Sequence, residues 1–180
     1  LTCAWSATAT AAPSIHHARV IAIQDGDTFD ALVSERTVLR VRLASIDAPE
    51  SGHGGRRPGQ PFAAVSKTRL GQMLARDGGR VRLECHETDR HGRSVCDAFV
   101  QGVSVSRLMV SEGMAWAYSA NERRYLRDRD LLVAQAKAHA MRAGLWSDHR
   151  EPVAPWQWRK VCWGGGECPP GNSMADMPPR

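Results

Sequence analysis

Leu39, Val41 and Leu43 alternate with Arg40 and Arg42, the period-two pattern of a strand with one face buried. The strand runs into Ile46-Asp47-Ala48-Pro49-Glu50. Pro49 lacks a backbone donor and biases Ala48 towards an extended conformation, so the strand ends there in a stiff corner. Upstream, residues 19–33 predict two strands joined by a turn. Val20, Ile21 and Ile23 precede Asp25-Gly26-Asp27-Thr28, and Phe29 opens the run that follows. Residues 81–100 predict a hairpin about Asp89-Arg90-His91-Gly92. With Thr88 opposite Arg93, Cys85 faces Cys96, Leu83 faces Ala98 and Val81 faces Val100, and a slip of one residue would scramble that face.

Three segments change period and predict helices. Pro61 opens the first, whose apolar stripe is Leu70, Met73 and Leu74 and which Gly78-Gly79 stops. Residues 103–112 predict a short helix with Val105, Leu108 and Met109 on one side, and residues 114–118 a further strand. Asn121 is placed to cap a long helix ending near Ala143, with Gly144 and Leu145 as its terminator. Residues 51–60 carry four glycines with Arg56 and Arg57 and read as a mobile loop. Its arginines are expected to attract a polyanion without entering the chemistry, because glycines cannot hold a side chain to catalytic tolerance. Five short strands with a helix between the third and fourth predict an α+β fold, a five-stranded OB-type barrel with three helices. The domain is assigned to residues 19–160, with a leader or disordered segment at 1–18 and a Gly/Pro-rich tail at 161–180.

A chain of 180 residues, 42% hydrophobic and 24% charged, is long enough to bury its own core. No apolar run reaches the ~18 residues of a membrane-spanning helix. Lys and Arg number 24 against 19 for Asp and Glu, and this surplus of +5 favours an anionic partner. Residues 1–14 are small, apolar and uncharged, like the end of a secretory leader, so a secreted or periplasmic location is expected. The five cysteines agree with export: Cys85 and Cys96, opposed in the hairpin, are expected to form a disulfide, and Cys162 and Cys168 are a second candidate pair. Neither pair has the spacing of a zinc site.

Four features carry possible chemistry: Asp25-Gly26-Asp27-Thr28, Arg42, Asp47-Ala48-Pro49-Glu50 and Asp89-Arg90-His91-Gly92-Arg93. Each is ordinary alone, as a hairpin turn, a solvated loop acid or an edge arginine. Together they hold the parts for phosphodiester hydrolysis. Two carboxylates at strand ends can bind a hard divalent cation, a third can direct a water, and two arginines can clamp a phosphate.

In order and spacing over about residues 19–146, VIAIQDGDTF, VRLASIDAPE, GQPFA, DRHGR, LMVSEGMAWAY and AGLW resemble the staphylococcal nuclease (thermonuclease) family, and PWQWRK resembles its exported bacterial members. The resemblance implies the same OB barrel, with calcium bound by Asp27, Asp47 and the backbone carbonyl of Ala48. Ala48 stands where the best-known members have Thr, a change that a carbonyl ligand survives. By the same resemblance Glu50 directs the attacking water, and Arg42 and Arg93 contact the scissile phosphate. Arg90 and His91 approach a terminal phosphate, and Tyr118 is nearest in place to the aromatics that pack on the nucleoside. The expected protein is a monomeric, calcium-dependent nuclease acting on DNA and RNA and leaving 3′-phosphate ends. The alternative is a non-catalytic OB-fold module that only binds nucleic acid. The presence of all five key side chains, Asp27, Arg42, Asp47, Glu50 and Arg93, favours the enzyme.

Overall fold

The computed structural model describes residues 12–54 and 57–169. The chain forms β1 (Ser14–Ile23), β2 (Thr28–Ser34), β3 (Thr37–Leu43), β4 (Ile46–Asp47), α1 (Ala63–Ala75), β5 (Arg80–Thr88) and β6 (Ser94–Val100). It continues through β7 (Val103–Ser104), α2 (Val105–Ser111), β8 (Trp116–Ala117), α3 (Asp130–Ala140) and α4 (Pro155–Trp158). The main sheet runs β3-β2-β1-β5-β6-β7, and an additional β3–β6 pairing closes it. That closure is parallel, with Val41 beside Ser94, Arg42 beside Val95 and Leu43 beside Cys96. The five long strands therefore make the expected barrel. Its interior is filled by Phe29, Val41, Leu43 and Leu83, and α1 and α2 cover it with Leu70, Met73, Leu74 and Met109.

The alternation in β3 held because its inward residues, Val41 and Leu43, are buried while Arg40 points out. The short β4 pairs with β8, Ile46 opposite Ala117 and Asp47 opposite Trp116. This second small sheet fixes the corner that the proline predicted.

Several boundaries differ from the sequence expectation. The barrel begins at Ser14 rather than Arg19, since residues 14–19 pair with β5 from Ser14 opposite Cys85 to Arg19 opposite Arg80. Ile15 is 60% exposed there, so this half of β1 lacks the alternation that marks a strand. Only residues 12–18 of the expected leader are described; residues 1–11 lie outside the described residues. The hairpin keeps Cys85 opposite Cys96 and Leu83 opposite Ala98, but a bulge between Cys85 and Glu87 moves Thr88 opposite Ser94 instead of Arg93. The long helix from Asn121 does not form. Asn121, Glu122 and Arg123 have φ of 49°, 55° and 63°, and α3 starts only at Asp130. The hydroxyl of Ser45 accepts from the Arg127 N–H at 2.9 Å and draws this stretch across the barrel instead.

The tail expectation also changes, and the glycine-rich loop gains defined ends. Loop 51–60 is closed at its ends, where Gln60 N–H donates to Glu50 O at 2.8 Å and Glu50 N–H to Gln60 Oε1 at 2.9 Å. Residues 161–169 do not leave the domain. α4, a helix beyond the three expected, continues into a π-helical turn, Arg159–Gly164. Trp158 is 3% and Cys162 1% exposed. Cys162 is bonded to Cys168, and Cys85 to Cys96 as expected, each pair with Cα atoms 4.0 Å apart. Residues 170–180 lie outside the described residues.

One glycine decides how closely the acidic turn approaches the corner. A Cβ on Gly26 would stand 2.1 Å from Ser66 Oγ and 2.8 Å from Ala48 Cβ. The turn between β1 and β2 thus sits against both α1 and the β4 corner because residue 26 has no side chain. Gly26→Ala is expected to destabilise the fold by about 1–3 kcal/mol, the usual cost of overpacking. Urea unfolding of the two proteins checks this.

Candidate active site

Barrel closure brings three chain segments to one end. Thr28 pairs with Arg42 across β2 and β3, so Asp27, one residue earlier, meets the Arg42 side chain. Arg42 Nη1 lies 2.9 Å from Asp27 Oδ2, and Nη2 donates to Asp47 Oδ1 at 2.7 Å. Nη1 also donates to the carbonyl of Ile46 at 3.0 Å. Asp27 and Asp47 are 5% and 1% exposed, and the Arg42 side chain 13%. Asp27 is held further by the N–H of Ala48, at 2.8 Å to Oδ2, and by the hydroxyl of Thr28, at 2.9 Å to Oδ1. Asp25 closes the turn by accepting the N–H of Asp27 at 3.0 Å.

A second guanidinium lies opposite Arg42. Arg159 donates through Nη2 to Asp47 Oδ2 at 2.8 Å and through Nη1 to Asp47 Oδ1 at 3.3 Å, and Nη1 also meets Glu50 Oε1. Asp25, Asp27, Asp47 and Glu50 therefore surround two arginines. Burial pushes the Glu50 carboxyl up to about 7, against the pull of Arg159. Burial and the neighbouring charge of Asp27 raise Asp25 to about 7. Burial works against the charge on Arg42, but Asp27, Asp47 and Asp25 keep it firmly protonated.

The remaining expected residues line the same open groove, about 850 Å³ in volume. Arg93 reaches it from the β5–β6 turn, where its Nε donates to Asp89 Oδ2 at 2.8 Å. Asp89 also accepts the N–H groups of His91 and Arg93, each at 2.9 Å. Although burial alone would raise Asp89, these donors hold its carboxyl below the usual range. Arg90 Nε donates to His91 Nε2 at 3.1 Å on the rim. Tyr118 lies against Trp156 and Tyr125, ring centroids 5.4 and 6.0 Å away. Arg57 sits 5.6 Å over the Trp163 ring, and Arg56 lies outside the described residues. All the other expected residues converge on this one groove. Arg159 was missed, although PWQWRK had stood out: nothing local ties an arginine to a carboxylate 112 residues earlier.

The family model described as "Staphylococcal nuclease homologue" matches residues 40–148. The chain belongs to the staphylococcal nuclease family. A Shigella flexneri relative named "Micrococcal nuclease" is 38% identical over 154 residues, covering 79% of this chain and 79% of its own. An "Uncharacterized endonuclease" of Haemophilus influenzae is 37% identical over 142 residues, 79% of this chain and 72% of its own. Arabidopsis thaliana has a "Staphylococcal-like nuclease CAN1" that is 32% identical over 127 residues, 71% of this chain but 35% of its own. Within this nuclease-family chain the matched stretch holds Arg42, Asp47, Glu50 and Arg93, while Asp27 precedes it and Arg159 follows it.

The donor set suits a hard cation. Asp27 and Asp47 offer only oxygen, and in this structure their oxygens already face positive charge from guanidinium groups. Among the described residues no group of three or more His, Cys, Asp or Glu side chains could hold a metal unaided, so backbone, water or substrate oxygens would complete the shell. Removing Arg42 would leave two buried acids with half their countercharge. Arg42→Leu is expected to cost about 3–5 kcal/mol of stability, and adding Asp27→Asn to recover part of that loss. Urea melts of the single and double variants measure both.

Proposed function

We propose that the protein is a calcium-dependent endonuclease that hydrolyses DNA and RNA to 3′-phosphate products. The observation that carries this reading is the buried Asp27–Arg42–Asp47 cluster, with Glu50 joined to it through Arg159 at the floor of the groove. Asp27, Asp47 and the carbonyl of Ala48 would hold calcium, which supplies positive charge to the phosphoryl oxygens. Glu50 orients a water and takes its proton, a role that suits a carboxyl titrating at about 7. Arg42 and Arg93 bind the equatorial oxygens and stabilise the charge that grows there as water attacks phosphorus. The bond from phosphorus to the 5′ oxygen breaks, the departing 5′ oxygen takes a proton from solvent, and the products are a 3′-phosphate and a 5′-hydroxyl. Arg90 and His91 guide the phosphate chain, and Tyr118 offers a ring to a base.

The protein works as a monomer and is exported. Its two disulfides fit an oxidising compartment, and no helix among the described residues is long and apolar enough to cross a membrane.

Glu50→Ala and Arg93→Lys should fold and bind single-stranded DNA in calcium within a few-fold of wild type. Both should cut at least about a hundredfold more slowly, because a lysine cannot make the paired hydrogen bonds and Glu50 acts on water rather than on DNA. Asp27→Ala should lose the cation and the rate together. Cleavage and binding are followed in parallel. Wild type that binds DNA but releases no acid-soluble fragments in millimolar calcium would replace the enzyme with the binding module.

A further inference from the structure

None of the phosphodiester steps above uses Arg159, yet it stands at the centre of the site. Both of its terminal nitrogens are engaged by Asp47, and one also reaches Glu50. Among the described residues no other side chain hydrogen-bonds the Glu50 carboxylate. The Glu50 backbone is tethered through Gln60, but its side chain rests on this one arginine.

The segment that delivers Arg159 is built to hold it. Pro155 opens α4, and buried Trp158, the residue before Arg159, donates its indole N–H to Pro58 O at 3.3 Å. Trp163 donates to the same carbonyl at 3.0 Å. Gln60 Nε2 reaches back to Val153 O at 2.9 Å, and the Cys162–Cys168 bond closes the far end. Loop 51–60 and the C-terminal segment therefore grip each other, and Arg159 and Glu50 lie on the two sides of that grip. Such a network fixes a side chain far better than an exposed arginine on a tail would be fixed.

We propose that Arg159 is a positioning residue that holds the Glu50 carboxylate beside the Asp27–Asp47 pair and competes with the cation for Asp47. The two effects share one cause. Asp47 Oδ2 faces Arg159, while Oδ1 is shared between Arg42 and Arg159. A cation taking Asp47 meets the positive charge of Arg159 already in contact with both of its oxygens, whereas Glu50 keeps the guanidinium as its anchor. Removing Arg159 takes away a positive charge that opposes the cation and also frees Glu50. Cation affinity should then rise while turnover falls. A merely structural role would loosen the segment and weaken both.

The test uses the full chain and two readouts. Calcium binding without nucleic acid is measured by calorimetry, and single-stranded DNA cleavage gives kcat and KM. Arg159→Met should bind calcium roughly tenfold more tightly, the scale of one charge removed from contact with a carboxylate. Its kcat should fall about 10- to 100-fold, the usual cost of losing a partner that orients a site group, with KM changed by less than about threefold. Arg159→Lys keeps the charge and should hold calcium affinity near wild type while restoring part of kcat. Should Arg159→Met not fold, Arg159→Gln removes the same charge and keeps a polar head. Calcium affinity that is unchanged or weaker in the neutral variant overturns the competition, and unchanged kcat overturns the positioning of Glu50. The kcat measurement rests on the nuclease reading, but the calcium measurement does not. Wild type that binds calcium and cuts nothing would defeat that reading alone, and the calcium ratio would still decide for or against Arg159.

Discussion

Two carboxylates buried side by side must be given positive charge, and the placement of Arg42 follows from that need. Asp27 and Asp47 are almost free of solvent, and ionised acids in such a place repel each other strongly. Arg42 lies between them with one nitrogen on each. The same residue is fixed by the barrel on both sides, through Thr28 on β2 and Val95 on β6. Closure of the barrel and neutralisation of the acids therefore occur at one strand position. This is why the site sits where β3 meets β6 and not elsewhere on the rim.

The rest of the groove is assembled around that floor by elements with their own restraints. Cys85–Cys96 ties β5 to β6 just below the turn that carries Arg93, and the bulge between Cys85 and Glu87 sets the final twist of that turn. Asp89 gathers the turn's N–H groups and holds the Arg93 guanidinium. On the opposite wall, Ser45 takes the Tyr118 N–H on its carbonyl and the Arg127 N–H on its hydroxyl. Ser45 itself has a φ of 66°, so the β4 corner bends to meet both. The aromatic pair Tyr118 and Tyr125 reaches the groove because the chain there is not helical.

What could be read from the sequence was whatever rests on short-range pattern. The β3 alternation, the Pro49 corner, the first helix and the Cys85–Cys96 register all follow from neighbours within one or two turns or strands. Most of the site was legible differently: each of its motifs is ordinary alone, and only their order and spacing together, through the family resemblance, marked the acids and arginines. What could not be read rests on distant contacts. The segment 121–129 has helix-forming arginines and a good capping residue, but Ser45, 82 positions earlier, takes its Arg127 N–H and the helix loses. The bulge near His86 shifts a register that strict pairing would have kept. Residues 161–169 have the composition of a tail, yet buried Cys162 and the Trp163 bond to Pro58 dock them.

The C-terminal segment also changes how the charge in the site is understood. With Arg42 alone, one guanidinium would face Asp25, Asp27, Asp47 and Glu50. Arg159 adds a second, and its contacts fall on the two acids of the β4 corner and its loop, Asp47 and Glu50. Arg42 has no comparable freedom, since it is buried and bonded to backbone carbonyls of Leu43 and Ile46 as well as to both aspartates. The Arg159 side chain is 35% exposed and hangs from a short helix at the groove edge. The fixed arginine is thus the one the fold needs for its own stability. The accessible one takes no part in the strand pairing that closes the barrel. Four acids at one end of the barrel are thus balanced by one countercharge locked into its frame and one within reach of solvent.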